Sequence, residues 1–331
     1  MQPTTSPLYP LRFIPYNQQK IWGGSEIYRY KSLPSPHKEI GETWEISAME
    51  GAESVVATGS LSGLKLSEVV QLYGSELLGK KIFHQYGYYF PLLVKLIDAQ
   101  HHLSVQVHPS DEQAKAMGEE HGKSEAWYLL QSQPDACIYA GWAKNINSAE
   151  LHQLAEGEAI MQAMNCYHPE RGDLFYLPAG TIHAIGAGCL LLEVQQPSDL
   201  TYRLYDYNRT NSEGERRPLH LREAEAVLSY EQAKELQIPY DKEQIKQIPT
   251  RLLHTPHFNI DKLQLSEDYA MELQERDTFT ILFMEEGKVM LEYPGGSELL
   301  KRGDFLLIPA ITTSCHLILL STSAKLLEIY L

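Results

Sequence analysis

A chain of 331 residues, 43% hydrophobic and 21% charged, has the composition of a globular protein long enough to bury two substantial cores. Its net charge of −15, with no long run of Lys or Arg, argues against nucleic acid and against an anionic membrane surface as partners, yet leaves room for a small anion in a local cationic pocket. The four cysteines (Cys137, Cys166, Cys189 and Cys315) form no CxxC pair and read as free thiols of a reducing cytosol; with neither a signal peptide nor a transmembrane run apparent, a cytoplasmic protein is expected.

Taken in chain order, apolar residues at helical intervals predict a helix over Leu66–Leu78. The apolar run 88–99 suits a buried strand. HLSVQVH (102–108) alternates, with Leu103, Val105 and Val107 on one face and Ser104, Gln106 and His108 on the other. Ser110 followed by DEQ marks the N-terminus of a helix over Asp111–Met117. EAWYLL (125–130) and DLFYL (173–177) read as strands, and Ser148–Met164 and Leu221–Leu236 as helices. A polar stretch from about 238 to 250 marks a domain boundary. Beyond it, 278–293 has a hairpin pattern with EEGK at the turn.

One phrase occurs twice. RGDLFYLPAGTIH (171–183) and RGDFLLIPAITTS (302–314) match at Arg, Gly, Asp, Pro and Ala with a constant shift of 131 residues, and His183 meets Ser314. Short strands, a repeated turn and few helices imply a mainly β chain built as two jelly-roll barrels: a longer unit, 1–240, with helical additions, and a smaller one, 241–331, without a metal.

The chemistry therefore belongs in the first copy. Gly172, Pro178, Gly180 and His183 form a strand–turn–strand phrase in which Gly180 permits the turn that aims His183 inward. Gln106 and His108 lie two apart on one strand face, about 7 Å between their Cα atoms. Glu125 opens the next strand. Two imidazoles, a carboxylate and a carboxamide suit zinc, and also manganese, iron or cobalt.

IWGG (21–24), GETWEIS (41–47), PLLVKLIDA (91–99), SVQVHPSD (104–111), GKSEAWYLL (122–130), LPAGTIHAIGAG (177–188), LLEVQQPSD (191–199) and TYRLYDYNR (201–209) follow in the order in which similar segments occur in type I mannose-6-phosphate isomerases, zinc-dependent cupins, and the chain resembles their shorter bacterial form. The resemblance covers most of residues 10–210 and, beyond 240, rests on the repeat alone. It implies one Zn2+ held by Gln106, His108, Glu125 and His183, an active-site Arg203, and interconversion of mannose 6-phosphate and fructose 6-phosphate through an enediol. Lys123 and Glu193 are proton-transfer candidates; alternatively Lys123 binds phosphate and Glu193 orients a ligand. Arg203, Arg209 and Lys123 are candidates for the phosphate, with Ser110 a possible hydroxyl donor, though Arg209 could equally pair with Asp206. IWGG reads as a close-packed turn, with an aromatic wall for a sugar as the alternative role of Trp22, and Trp44 as core. The partner is a small sugar phosphate, and the chain acts as a monomer or homodimer. The competing readings are an iron-dependent cupin oxygenase, a non-catalytic sugar-phosphate-binding cupin, and an isomerase of a related sugar.

Overall fold

In the computed structural model, which describes residues 7–35, 39–210, 214–242 and 247–331, strands dominate and fall into two jelly-roll units. The first unit pairs a six-stranded sheet, in spatial order Leu174–Leu177, Glu125–Ser132, Cys189–Gln195, Leu93–Ala99, Glu42–Ile46 and Tyr16–Gln18, with a five-stranded one, Tyr202–Tyr205, Val105–Val107, His183–Ile185, Ile138–Trp142 and Met164–Tyr167. Trp127, Leu129, Ile97 and Leu191 of the larger sheet meet Ile138, Ala140 and Ile185 of the smaller. The second unit repeats the plan with five strands facing four.

Period two explains why the central strands look continuously apolar. In Cys189–Gln195, Leu190, Leu192 and Val194 face the second unit, packing in one cluster with Ile281, Phe283, Leu327 and Ile329, while Leu191, Glu193 and Gln195 face inward. The two large sheets thus stand back to back, and each fully buried aliphatic side chain there contributes about 1.5–3 kcal/mol. Polar groups also cross this seam with partners: Tyr128 donates to Glu285 (2.8 Å) and accepts from Lys262 (2.7 Å).

The repeated RGD phrase has a local cause. Gly172 and Gly303 take φ of 85° and 86°, which side-chain-bearing residues resist. Asp173 closes its turn by accepting from Glu170 N–H (2.7 Å), and Asp304 from Lys301 N–H (3.0 Å). Each arginine reaches the opposite unit: Arg171 pairs with Glu285 at 3.3 Å, and Arg302 donates to the Tyr30 carbonyl at 3.1 Å.

The pairing registers extend the equivalence inward. Phe175 lies opposite Trp127, which lies opposite Glu193, which lies opposite Lys95. In the second unit Leu306, Leu282, Glu328 and Asp261 stand in the same order. Glu328 is fully buried; Arg276 donates to it and to Thr280 Oγ1 (3.1 Å), and lies 4.3 Å from the centre of the Tyr330 ring.

Several expectations need correction. The first helix stops at Tyr73, where Gly74 (φ 46°) breaks it, and a second turn runs Ser75–Leu78. Ser148–Ala155 and Ala159–Gln162 are separate helices. The last helix ends at Val227, because the following chain is drawn extended along the first unit, bridging Trp142 at Gln232 and Phe175 at Gln237. The two strands Thr280–Glu286 and Lys288–Tyr293 do not pair; Gly287 (φ 87°) sends the chain from one sheet to the other. Cys137 and Cys166 are not free thiols but disulfide-bonded across neighbouring strands, Cα atoms 6.1 Å apart; Cys189 and Cys315 remain free and buried. Residues 243–246 of the polar stretch lie outside the described residues. Among the described residues no helix is long and apolar enough to cross a membrane.

Candidate metal centre

Three strands in register assemble one wall of a cavity of about 250 Å³: Gln106 lies opposite both His183 and Arg203. The turn before His183 is fixed by Gly180, whose N–H donates to the His108 carbonyl at 2.8 Å and whose φ of 83° no other residue would take cheaply. Glu125 enters from the facing sheet and is fully buried.

His108, Glu125 and His183 bring one donor atom each within 4.8 Å of one another. Nδ1 of His108 lies 2.8 Å from the Leu200 carbonyl, and Nδ1 of His183 lies 2.8 Å from that of Thr181. A carbonyl only accepts, so both Nδ1 atoms carry the proton and both Nε2 atoms present lone pairs. These lone pairs face each other at 3.2 Å, and face Glu125 oxygens at 3.2 and 3.5 Å. Neither Glu125 oxygen has a hydrogen-bond partner, although Lys123 Nζ stands at ion-pair distance, 3.2 Å. Acceptors converging on a dry point are what a cation requires, and the carbonyls that orient the rings are the outer support metal-binding histidines need. Burial pushes the Glu125 carboxyl up to about 7 and the His183 imidazole down to about 4, and takes His108 well below its ordinary value. The donor set therefore fits a divalent ion.

The other expected residues divide. Lys123, Glu193 and Arg203 line the cavity with Gln106. Glu193 accepts from the Trp127 indole at 2.9 Å and pairs with Lys95 at 3.1 Å. Arg203 donates to Ser104 Oγ (3.3 Å) and to the Pro218 carbonyl (2.9 Å). Ser110 instead caps its helix, accepting from Gln113 N–H at 3.3 Å. Arg209 donates to Asp206 and to the His102 carbonyl and lines a neighbouring groove. Gly23 packs on Gly41 so closely that a Cβ would fall 2.4 Å from its nitrogen, which accounts for IWGG, and Trp22 lines the cavity. Sequence reasoning missed Lys95, Glu42, Ser104 and Arg217 on this wall. Lys95 had a signal, a lone cation inside the apolar run LLVKLIDA; Arg217 sits in a loop that carries none.

A two-unit jelly roll with a buried His–His–Glu centre, next to a cavity of sugar size that Gln106, Lys123 and two arginines line, defines a metal-dependent cupin enzyme. The sequence profile of phosphomannose isomerase type I, catalytic domain, matches residues 11–138. Mannose-6-phosphate isomerase ManA of Bacillus subtilis is 35% identical over 311 residues, 92% of this chain and 94% of the relative. Mannose-6-phosphate isomerase of Streptococcus mutans is 33% identical over 301 residues, 91% and 92% of the two chains. The crystal structure of the Bacillus subtilis mannose 6-phosphate isomerase superposes with a TM-score of 0.82 at 28% identity, covering 97% of this chain and 99% of that one. The chain belongs to the type I mannose-6-phosphate isomerase family, and its reaction class is aldose–ketose isomerisation.

Proposed function

We propose that the chain interconverts mannose 6-phosphate and fructose 6-phosphate on one zinc ion held by Gln106, His108, Glu125 and His183 of the first unit, residues 1–240, with 241–331 as its support. The observation that carries this reading is the pair of Nε2 lone pairs 3.2 Å apart beside a fully buried carboxylate whose oxygens accept no hydrogen bond and have Lys123 at ion-pair distance. When bound, the metal supplies Lewis-acid stabilisation of charge developing on the substrate's C1 and C2 oxygens.

The protein's own groups do the rest. The reaction moves a proton between C1 and C2 on one face, so it needs a group that accepts and returns it. Lys123, buried and lining the cavity, is the better placed candidate. Burial pushes the Glu193 carboxyl up, but Lys95, then Lys123 and the Trp127 N–H, outweigh it and hold it down to about 2. A carboxylate so firmly ionised is a weak base, and Glu193 acts instead by fixing Lys95 and the charge pattern of the wall. Arg203, half-buried and bonded only to neutral acceptors among the described residues, positions the substrate. A phosphorylated sugar does not cross membranes unaided, which supports a cytoplasmic site of action.

The test is removal and return of metal. Chelation should abolish formation of fructose 6-phosphate in a coupled assay, and Zn2+ should restore it. Full activity in exhaustively chelated, metal-free protein would overturn the reading.

A further inference from the structure

Of the residues expected at the phosphate, Ser110 serves as a helix cap, Arg209 lines another groove and Lys123 pairs with Glu125, which leaves Arg203 on the cavity wall. The strand that carries Gln106 sets a scale. Two residues outward on the same face is Ser104, about 7 Å from Gln106. A hexose whose C1 and C2 oxygens face Gln106 carries its phosphate at the opposite end of its carbon chain, beside Ser104. Arg203 already reaches that point, with Nε 3.3 Å from Ser104 Oγ.

A second guanidinium lines the same end of the cavity. Arg217 is gripped by Asp206 through Nε (2.8 Å) and Nη2 (2.5 Å), which leaves Nη1 outside the pairing. Asp206 is buried, with 5% of its surface exposed, and its Oδ1 is shared with Arg209. The remaining cations of the wall have carboxylates of their own: Lys20 with Glu42 (3.4 Å), Lys95 with Glu193 (3.1 Å) and Lys123 with Glu125 (3.2 Å). Among the described residues Arg203 has no carboxylate partner and Arg217 shares Asp206 with Arg209, so two incompletely compensated guanidiniums line this wall, with Asp199 also on it, in a protein whose net charge is −15. Burial and then Arg217 push the Arg203 pKa down from its ordinary value, a repulsion that an anion between the two guanidiniums would relieve. A phosphate monoester carries nearly two negative charges at neutral pH, and the planar fork of arginine matches its oxygens.

We propose that Arg217, with Arg203 and the Ser104 hydroxyl, forms the recognition site for the substrate's phosphate, and that Asp206 is the positioning residue that aims Arg217 into the cavity. This rests on the isomerase reading of the same site. Arg217 touches no atom that reacts, so its loss acts on binding.

The experiment compares wild type, Arg217→Gln, Arg217→Lys and Asp206→Asn, each loaded with Zn2+ and checked for metal content. It reads kcat and KM for mannose 6-phosphate, and the inhibition constant of inorganic phosphate. Arg217→Gln should raise KM and the phosphate inhibition constant together by about tenfold or more, the worth of a charge-assisted hydrogen bond, with a much smaller change in kcat. Arg217→Lys, which keeps the charge and loses the fork, should fall between. Asp206→Asn should shift KM in the same direction with Arg217 intact. Should Arg217→Gln fail to fold, Arg217→Lys carries the same test. If KM and phosphate inhibition stay within twofold of wild type in a folded Arg217 variant, the assignment is overturned. A wild-type protein that does not isomerise mannose 6-phosphate at all would sink the functional reading instead.

Discussion

Lys95 is the residue on which the cavity wall is built, and its removal is the sharpest test of that wall. It sits 3% exposed in the middle of an apolar strand, with Nζ 3.1 Å from Glu193 Oε2, 3.9 Å from Glu42 Oε2 and 4.9 Å from the centre of the Trp44 ring. Burial pushes its pKa down, but Glu193 and Glu42 outweigh burial and raise it, so the lysine stays charged. Lys95→Met removes the cation and leaves Glu193 ionised and buried. Breaking a buried pair this way costs about 3–5 kcal/mol. Linkage gives a similar size: a carboxyl held from 4.5 down to about 2 stabilises the fold by about 3 kcal/mol at neutral pH. Glu42 keeps Lys20 at 3.4 Å and is not orphaned. The assay is urea denaturation of Zn2+-loaded wild type, Lys95→Met, Glu193→Gln and the double variant. The single variants should each lose several kcal/mol, and the double variant less than their sum. Because the native pKa of Glu193 is depressed, its contribution is fully present above pH 4.5 and fades as pH falls toward 2. The gap between wild type and Glu193→Gln should therefore shrink over that window. Additive losses in the double variant, or a Lys95→Met loss under 1 kcal/mol, would refute the reasoning.

His183→Ala should leave a protein that no longer retains metal through gel filtration, measured by elemental analysis; undiminished metal content would remove His183 from the ligand set. Arg203→Ala should keep the metal yet lose about a hundredfold or more in kcat/KM, the scale on which such donors act, and near-normal turnover would end its assignment. In the second unit, Arg276→Met should destabilise by about 3–5 kcal/mol by stranding Glu328, and adding Glu328→Gln should recover most of the loss, again by urea titration.

The sequence carried the site further than it carried the element boundaries, for a physical reason. His108 rests on a period-two strand and His183 on a glycine turn, which local geometry makes readable, whereas Glu125 lies beyond an intervening helix and its role followed from the family resemblance. Helix ends depended on what lay opposite: Gly74 could be seen, but the capture of residues 229–240 by the first unit could not, because it requires the tertiary fold. The pattern at 278–293 has hairpin spacing, yet each strand finds its partners in a different sheet. The cysteines illustrate the same limit, since Cys137 and Cys166 are 29 residues apart in sequence and adjacent only across paired strands.

The second copy differs from the first at the positions that the proposed site uses. At the place of His183 it has Ser314, at that of Glu125 Thr280, and at that of Lys95 Asp261, while the carboxylate of Glu193 survives as Glu328. A buried carboxylate must find a cation, and without a strand lysine the second unit recruits Arg276 from a loop. That guanidinium bonds Thr280 and stacks on Tyr330, whose hydroxyl donates to Asp261 at 2.9 Å. Among the described residues, the Arg276, Thr280 and Tyr330 side chains thus occupy this part of the second unit's interior. Moving the compensating cation onto the strand, as Lys95, satisfies Glu193 from within the wall and leaves the space in front of Gln106 and Arg203 clear for a ligand. Charge compensation at one register position, from the strand in the first unit and from a loop in the second, agrees with the proposal that the chemistry lies in the first.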